Sequence, residues 1–233
     1  MTENVMPMRG RGAARQQLPE EVASYVRELI ISGEVRPGEF LRLEPIAEAV
    51  GVSNTPVREG LLSLRSEGFV ELVPRRGFVV APFSEQDVRD LFWTQAQLAG
   101  ELTARAARTI TADGLARLEA NVDEFMKAIA DGREDRVAEI GHQFHREINL
   151  AADSHRLARL LNSVVKHLPN RFYAEIEGTV TGSQEAHPLI LEAIRKRAAR
   201  KAQSLMAEHI LDSGEHLVEM LRKRGVWAET SSA

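Results

Sequence analysis

The stretch Val50-Gly51-Val52-Ser53-Asn54-Thr55-Pro56 stops one helix and starts another within a few residues, and no other feature of the chain limits its fold so tightly. Before it, Ile46, Ala47 and Val50 line one face of a short helix, and Gly51 supplies the residue that closes such a helix in the left-handed conformation. After it, Ser53, Asn54 and Thr55 are competent N-caps and Pro56 suits a first turn. Val57, Leu61 and Leu64 form the inner face of the second helix, and Gly68 ends it. Two short helices joined by so brief a glycine-containing turn describe a helix-turn-helix.

The flanks extend the motif. Leu18-Pro19-Glu20-Glu21 reads as a helix start, with proline in the opening turn and acids near the positive end of the dipole. Val22, Val26, Leu29 and Ile30 supply its apolar stripe, which stops at Ser32-Gly33. Past Gly68, Phe69–Val73 and Gly77–Ala81 are β-prone and are separated by Pro74-Arg75-Arg76-Gly77, a small hairpin with a basic tip. Three helices plus this hairpin predict a winged helix-turn-helix over residues 18–82, preceded by a disordered arm at 1–17. From Ser84 onward there is no further strand candidate. Helical stretches are expected at 84–108, 111–130, 133–152, 154–168, 183–197 and 199–223. Six helices joined by short turns predict an antiparallel bundle over 83–225, with Ala81-Pro82-Phe83 as the linker and 226–233 as a disordered tail. The fold class is mostly α.

Composition removes several classes of function. No window approaches ~18 consecutive apolar residues, and the N-terminus MTENVMPMRGRGAARQQ lacks an apolar signal-peptide core. Neither membrane spanning nor secretion is expected, and the location is read as cytoplasmic. The absence of cysteine removes disulfides, thiolate metal sites and cysteine nucleophiles, so any metal must be held by His, Asp, Glu or backbone oxygen. Residues 1–82 carry 10 Arg and no Lys against 11 Glu and no Asp, and the whole chain has a formal charge of -4. Without a general positive field, any DNA contact must come from a local arrangement of arginines. Aromatics at 5% argue against stacking platforms for single strands.

The second helix of a helix-turn-helix enters the major groove of double-stranded DNA with its N-terminal residues against base edges. Those residues are Ser53, Asn54, Thr55 and Arg58. Arg58 can donate two parallel hydrogen bonds to guanine, and Asn54 can pair bidentately with adenine. Ser53 and Thr55 are short hydroxyl donors suited to phosphate. Arg65 lies two turns beyond Arg58 on roughly the same side, within reach of the backbone. Arg75, Arg76 and Gly77 at the wing tip face a minor groove or phosphates.

The run Arg36-Pro37-Gly38, Ile46-Ala47, Val50-Gly51-Val52-Ser53, Thr55-Pro56-Val57-Arg58-Glu59, Glu67-Gly68-Phe69-Val70 and Arg75-Arg76-Gly77-Phe78-Val79-Val80 resembles the N-terminal domain of GntR-family bacterial transcription regulators. The helical remainder is similar to that of their FCD subfamily. The resemblance covers about residues 18–223 and implies a homodimeric regulator of operator DNA, usually a repressor, whose C-terminal domain binds a small-molecule effector and dimerises. Where the family commonly has Arg after the Ser of the turn, this chain has Asn54, so the operator sequence does not carry over.

Three of the seven histidines occupy apolar stripes on different predicted helices. His145 shares a face with Ile148 and Ala152, His187 leads Ile190, Leu191 and Ile194, and His209 follows Ala202, Leu205 and Met206. Inward imidazoles require partners, and three in one bundle fit a His₃ shell around a divalent metal ion, zinc or nickel by imidazole preference. The resemblance implies the same set. In metal-binding FCD members an Asp one turn before the first His completes the site, and Gly141 stands at that position here. His142, His155, His167 and His216 read as surface or structural residues. Many relatives also carry an R-x-x-L-E pattern on the first C-terminal helix, where this chain has Gln95-Ala96-Gln97-Leu98-Ala99. Gln95, with Arg171 as a possible source of charge, is the candidate anchor for a carboxylate effector. The basic cluster Arg195–Lys201 reads as a solvated turn.

Two other functions compete. The metal itself could be the signal, making the chain a metal-ion sensor. A metal-dependent enzyme in the bundle is the third reading. Against that third reading, the sequence has no H-E-x-x-H, no Gly-rich phosphate loop and no acid or base at a diagnostic spacing beside the histidines.

Overall fold

Contacts divide the chain into two units, residues 1–83 and 84–233. A computed structural model describes residues 11–168 and 181–227 of them. In the first unit the order is α1 (Arg11–Ile31), β1 (Phe40–Leu41), α2 (Leu43–Val50), α3 (Asn54–Ser66), β2 (Val70–Val73) and β3 (Gly77–Val80). This is the winged helix-turn-helix. Val22, Val26 and Ile30 of α1 meet Val57, Leu61 and Leu64 of α3 in its core, all at most 4% exposed. Gly51 ends α2 at φ 75°, and the N–H groups of Gly51 and Val52 both bond to the Ala47 carbonyl at 2.9 Å. That closure reverses the chain in time for Ser53 to open α3.

Two features depart from the sequence reading. The first helix starts at Arg11 rather than at Leu18, and Pro19 lies inside it. Ala13, Ala14, Arg15, Gln16 and Gln17 all favour helix, so the turn that proline opens is extended backwards at the loss of one backbone bond. Residues 1–10 of the expected arm lie outside the described residues. The wing, expected as a hairpin, has a third strand, in the order β1-β3-β2 and antiparallel throughout. It is recruited because the Gly38 N–H bonds to the Val80 carbonyl and the Val80 N–H to the Glu39 carbonyl, both at 2.9 Å. Leu41, Phe78, Val70 and Val80 point into the core, while Phe40 lies on the outer face.

The second unit contains α4 (Glu85–Thr109), α5 (Ala112–Ala130), α6 (Glu134–Ala151), α7 (His155–Val165), α8 (Thr181–Arg195) and α9 (Ala199–Lys223). The expected helices are present with ends shifted by at most three residues. The breaks placed at Pro169-Asn170 and Gly178–Gly182 fall largely outside the described residues. Ser84 opens α4 with a reciprocal capping box to Asp87, and Thr111 caps α5 on the Gly114 N–H. The long helices α4 and α9 pack closely because small residues line their seam. A Cβ at Gly214 would sit 2.7 Å from the Cβ and Cγ of Phe92. Leu102, Leu118, Phe144, Ile148, Ile190, Ile194 and Met206 fill the middle of the bundle.

Candidate functional site

Ser53 is the N-cap of α3, with extended backbone (φ -83°, ψ 168°) and no side-chain capping bond. Its hydroxyl is therefore not used in ending the helix, contrary to the usual role of serine there. Asn54, Thr55, Arg58 and Arg65 follow on α3, and all are exposed. Val57, Gly60, Leu61 and Leu64 on the opposite side are buried, so the helix stands on its apolar face with the polar residues outward. At the wing, the Arg76 N–H bonds to the Val73 carbonyl at 3.1 Å and closes the turn Val73-Pro74-Arg75-Arg76. Proline at its second place and φ 64° at Arg75 are the pattern of a type II turn, in which glycine is the usual third residue. Gly77 follows at φ 105°. Among the described residues Arg58, Arg65 and Arg75 form no ion pair. No described acid compensates their charge by an ion pair, which leaves three unpaired guanidinium groups on a unit without net positive charge.

One supporting contact escaped the sequence. Arg27 of α1, 3% exposed, donates from Nε and Nη2 to Oε2 of Glu67 at 3.0 and 2.7 Å. The Ser63 hydroxyl donates to the other oxygen of Glu67 at 3.2 Å. This pair ties the end of α3 to α1. Nothing local marks it, because the partners are 40 residues apart.

In the helical unit, His145 (α6), His187 (α8) and His209 (α9) converge, with one ligand atom of each within 4.8 Å of the others. The Nε2 atoms of His145 and His209 are 3.4 Å apart, and their rings stack at 5.3 Å with an interplanar angle of 5°. His187 is fully buried and its ring lies against Phe144 at 4.2 Å and Phe125 at 4.9 Å. Two nitrogens bound to one tetrahedral zinc stand roughly 3.3 Å apart, so the separation of His145 and His209 suits a shared ion. Gly141 lies buried one turn before His145, and among the described residues no Asp or Glu joins the cluster. The donor set thus offers three imidazoles and no anionic ligand, so a divalent ion held there would keep its full charge.

His145 also forms part of the wall of a cavity of about 380 Å³ between α4, α6, α7 and α9. Gln95, 2% exposed, lies on that wall, where the sequence expectation put an effector contact. So do His142 and His155, read from the sequence as surface or structural residues, and Arg146 and Asn149, which sequence reasoning missed. Residues 142, 145, 146 and 149 share one side of α6 by helical spacing, a signal that the search for apolar stripes passed over. The lining contains no Asp or Glu. Arg171, the other expected effector residue, lies outside the described residues.

The basic cluster at 195–201 is an exposed turn, as expected, and several of its side chains are paired. Arg195 pairs with Glu119 and Glu192, and Lys196 pairs with Glu192. Arg197, at φ 56°, donates to the carbonyls of Arg108 and Ile110 at 2.9 and 2.7 Å, capping the C-terminal end of α4.

Two family models match the chain. Residues 18–80 match bacterial regulatory proteins of the gntR family, and residues 90–212, more than half of the chain, match the FCD domain. The chain belongs to the GntR family. Among GntR-type relatives, YdhC, an HTH-type transcriptional regulator of Bacillus subtilis, is 27% identical over 86% of this chain and 91% of its own length. The transcriptional repressor GlaR of Escherichia coli is 27% identical over 80% of this chain and 90% of its own. The solved structure of E. coli McbR/YncC superposes with a TM-score of 0.61 at 19% identity, covering 88% of this chain and 97% of that one, a likeness of fold. This GntR chain is a DNA-binding transcription regulator with an FCD domain, and the enzyme reading falls. Among its described residues no helix is long and apolar enough to cross a membrane.

Proposed function

We propose that the chain is a homodimeric repressor whose operator affinity is controlled by a small anionic metabolite, a carboxylate, bound in the helical unit beside a zinc or nickel ion held by His145, His187 and His209. One observation carries the reading: a cluster of three imidazoles from three helices reaches, through His145, a cavity whose wall contains Arg146 and three histidines but no acid. A cavity lined by one cation, several N–H donors and no carboxylate favours an anion over a neutral or cationic guest. Bound to the triad, the ion would supply positive charge and open coordination positions. Gln95, from the opposite wall, can donate to the guest, and Arg146 provides a charge that Gly141 does not oppose.

On the DNA side, Ser53 and Thr55 with the first N–H groups of α3 would hold phosphates, while Asn54 and Arg58 would read bases. Arg65, Arg75, Arg76 and Gly77 would approach the backbone or minor groove from the helix and the wing. Two copies on a two-fold site multiply weak half-site affinities through effective concentration. A bound effector changes operator affinity only by as much as its own affinity differs between DNA-competent and incompetent states. GlaR, named a repressor, supports the sign.

The His cluster also supports a second reading, in which the ion alone is the signal. Fluorescence anisotropy on a duplex selected from a randomised pool tests both. Site-selective capture that weakens with salt is expected of the metal-loaded protein, followed by release on adding a panel of small carboxylates. Release by metal alone would favour the sensor. No salt-sensitive, selective capture would overturn the DNA-reading assignment of these residues.

A further inference from the structure

The ring of Phe40 is 38% exposed on the outer face of β1. A single exposed ring needs no explanation by itself, but this one has a cation over it. The guanidinium carbon of Arg76 stands 4.5 Å from the ring centroid. We propose that Phe40 is a positioning residue for DNA binding: its ring holds the Arg76 guanidinium at the wing in the orientation from which it contacts the nucleic acid.

The inference rests on the proposed role of the wing and adds the part that aims it. Three constraints act together. Phe40 pairs with Val79 on β3, the strand that begins next to Arg76, so ring and cation are fixed to one sheet. The backbone of Arg76 is set by its own N–H bond to the Val73 carbonyl and by the left-handed Arg75 before it. The ring then restrains the far end of a side chain that otherwise samples many rotamers in solution. A cation–π contact uses the positive charge and none of the five N–H donors, so the donors remain available for phosphate or base-edge acceptors. An arginine already held in its binding geometry loses less freedom on docking than one that must be ordered at that moment.

The test compares Phe40→Leu, Phe40→Trp, Arg76→Ala and the Phe40→Leu/Arg76→Ala double variant in the full chain. The readouts are anisotropy on the duplex selected by the wild-type protein, the salt dependence of binding, and the melting temperature. Leucine keeps apolar bulk on the strand but removes the π face. Phe40→Leu should weaken binding roughly two- to fivefold per half-site, the worth of an exposed cation–π contact, with the melting temperature unchanged. Tryptophan should restore wild-type affinity, and the leucine effect should vanish once Arg76 is alanine. If Arg76→Ala weakens binding while Phe40→Leu does not, or if the two effects multiply independently, the positioning role is wrong and the wing contact stands. If Arg76→Ala binds like wild type with the same salt slope, the wing contact fails and the inference fails with it.

Discussion

Removing the carboxylate of Glu67 should destabilise the N-terminal unit and leave the helical unit untouched. Arg27 is 3% and Glu67 14% exposed, and Arg27 makes two charge-assisted hydrogen bonds to one oxygen of its partner. Glu67→Ala would leave a guanidinium inside the unit, beside the ring of Phe69 and without its anion. Breaking a buried pair from one side costs about 3–5 kcal/mol, and the residual exposure of Glu67 places this case near 3. A unit of this size has a total stability on the order of 4–10 kcal/mol, so the loss is a third of it or more. That corresponds to a fall of roughly 12–24 °C in its melting temperature. Both tryptophans, Trp93 and Trp227, belong to the helical unit, which gives each unit its own signal. Thermal melts of Glu67→Ala should show an early loss of circular dichroism while the tryptophan transition keeps its wild-type midpoint. The Arg27→Met/Glu67→Leu variant, which removes both charges, should be more stable than Glu67→Ala. A Glu67→Ala shift below about 2 °C, or a double variant whose loss is the simple sum of the single losses, would show that the pair is not coupled as described.

Arg58→Ala should relax discrimination at one operator base pair by ~1–3 kcal/mol, read from competition with duplexes varied at each position; an unchanged base preference refutes its reading role. His187→Ala should lower the zinc retained after dialysis, measured by elemental analysis, and undiminished metal would exclude His187 as a ligand. Gly214→Ala places a methyl against Phe92, which is 1% exposed, and should cost about 1–3 kcal/mol by overpacking, visible in the tryptophan transition; no shift would mean that α4 and α9 can part freely. The Glu85 carboxyl is held below its usual 4.5, first by the hydrogen bond from Arg222 and further by Arg89. Because the folded value is depressed, its contribution is complete above 4.5 and fades as pH falls through that lower value. The melting-temperature gap between wild type and Glu85→Gln should therefore be full above the ordinary carboxylate range and narrow as pH falls below 4.5, and a gap that widens in acid would contradict the pairing.

What the sequence made legible is what is written locally. Gly51, Ser53 and Pro56 act on the residues next to them, so the helix-turn-helix can be read without knowing what packs on it. The helices of the second unit are legible for the same reason, since stripe and cap recur within a turn or two. β1 was not legible, because two residues become a strand only when β3 offers them partners. Arg27 and Glu67 each look like ordinary surface charges until the fold closes them on each other. The histidine triad could be read because three polar rings interrupt apolar stripes. The rest of the cavity wall, beyond Gln95 and His145, was not read, since Arg146 and His142 interrupt no apolar stripe and meet α7 only in the fold.

The wing tip carries a cost that affects how this protein can be improved. Arg75 holds an L-residue at φ 64° where glycine would fit without strain, so the turn is less comfortable than it could be. A campaign that selects only for heat resistance would be drawn to glycine at that place. If the wing meets DNA as proposed, its winners would survive hotter and grip their target less well, having exchanged the Arg75 charge for an unstrained turn.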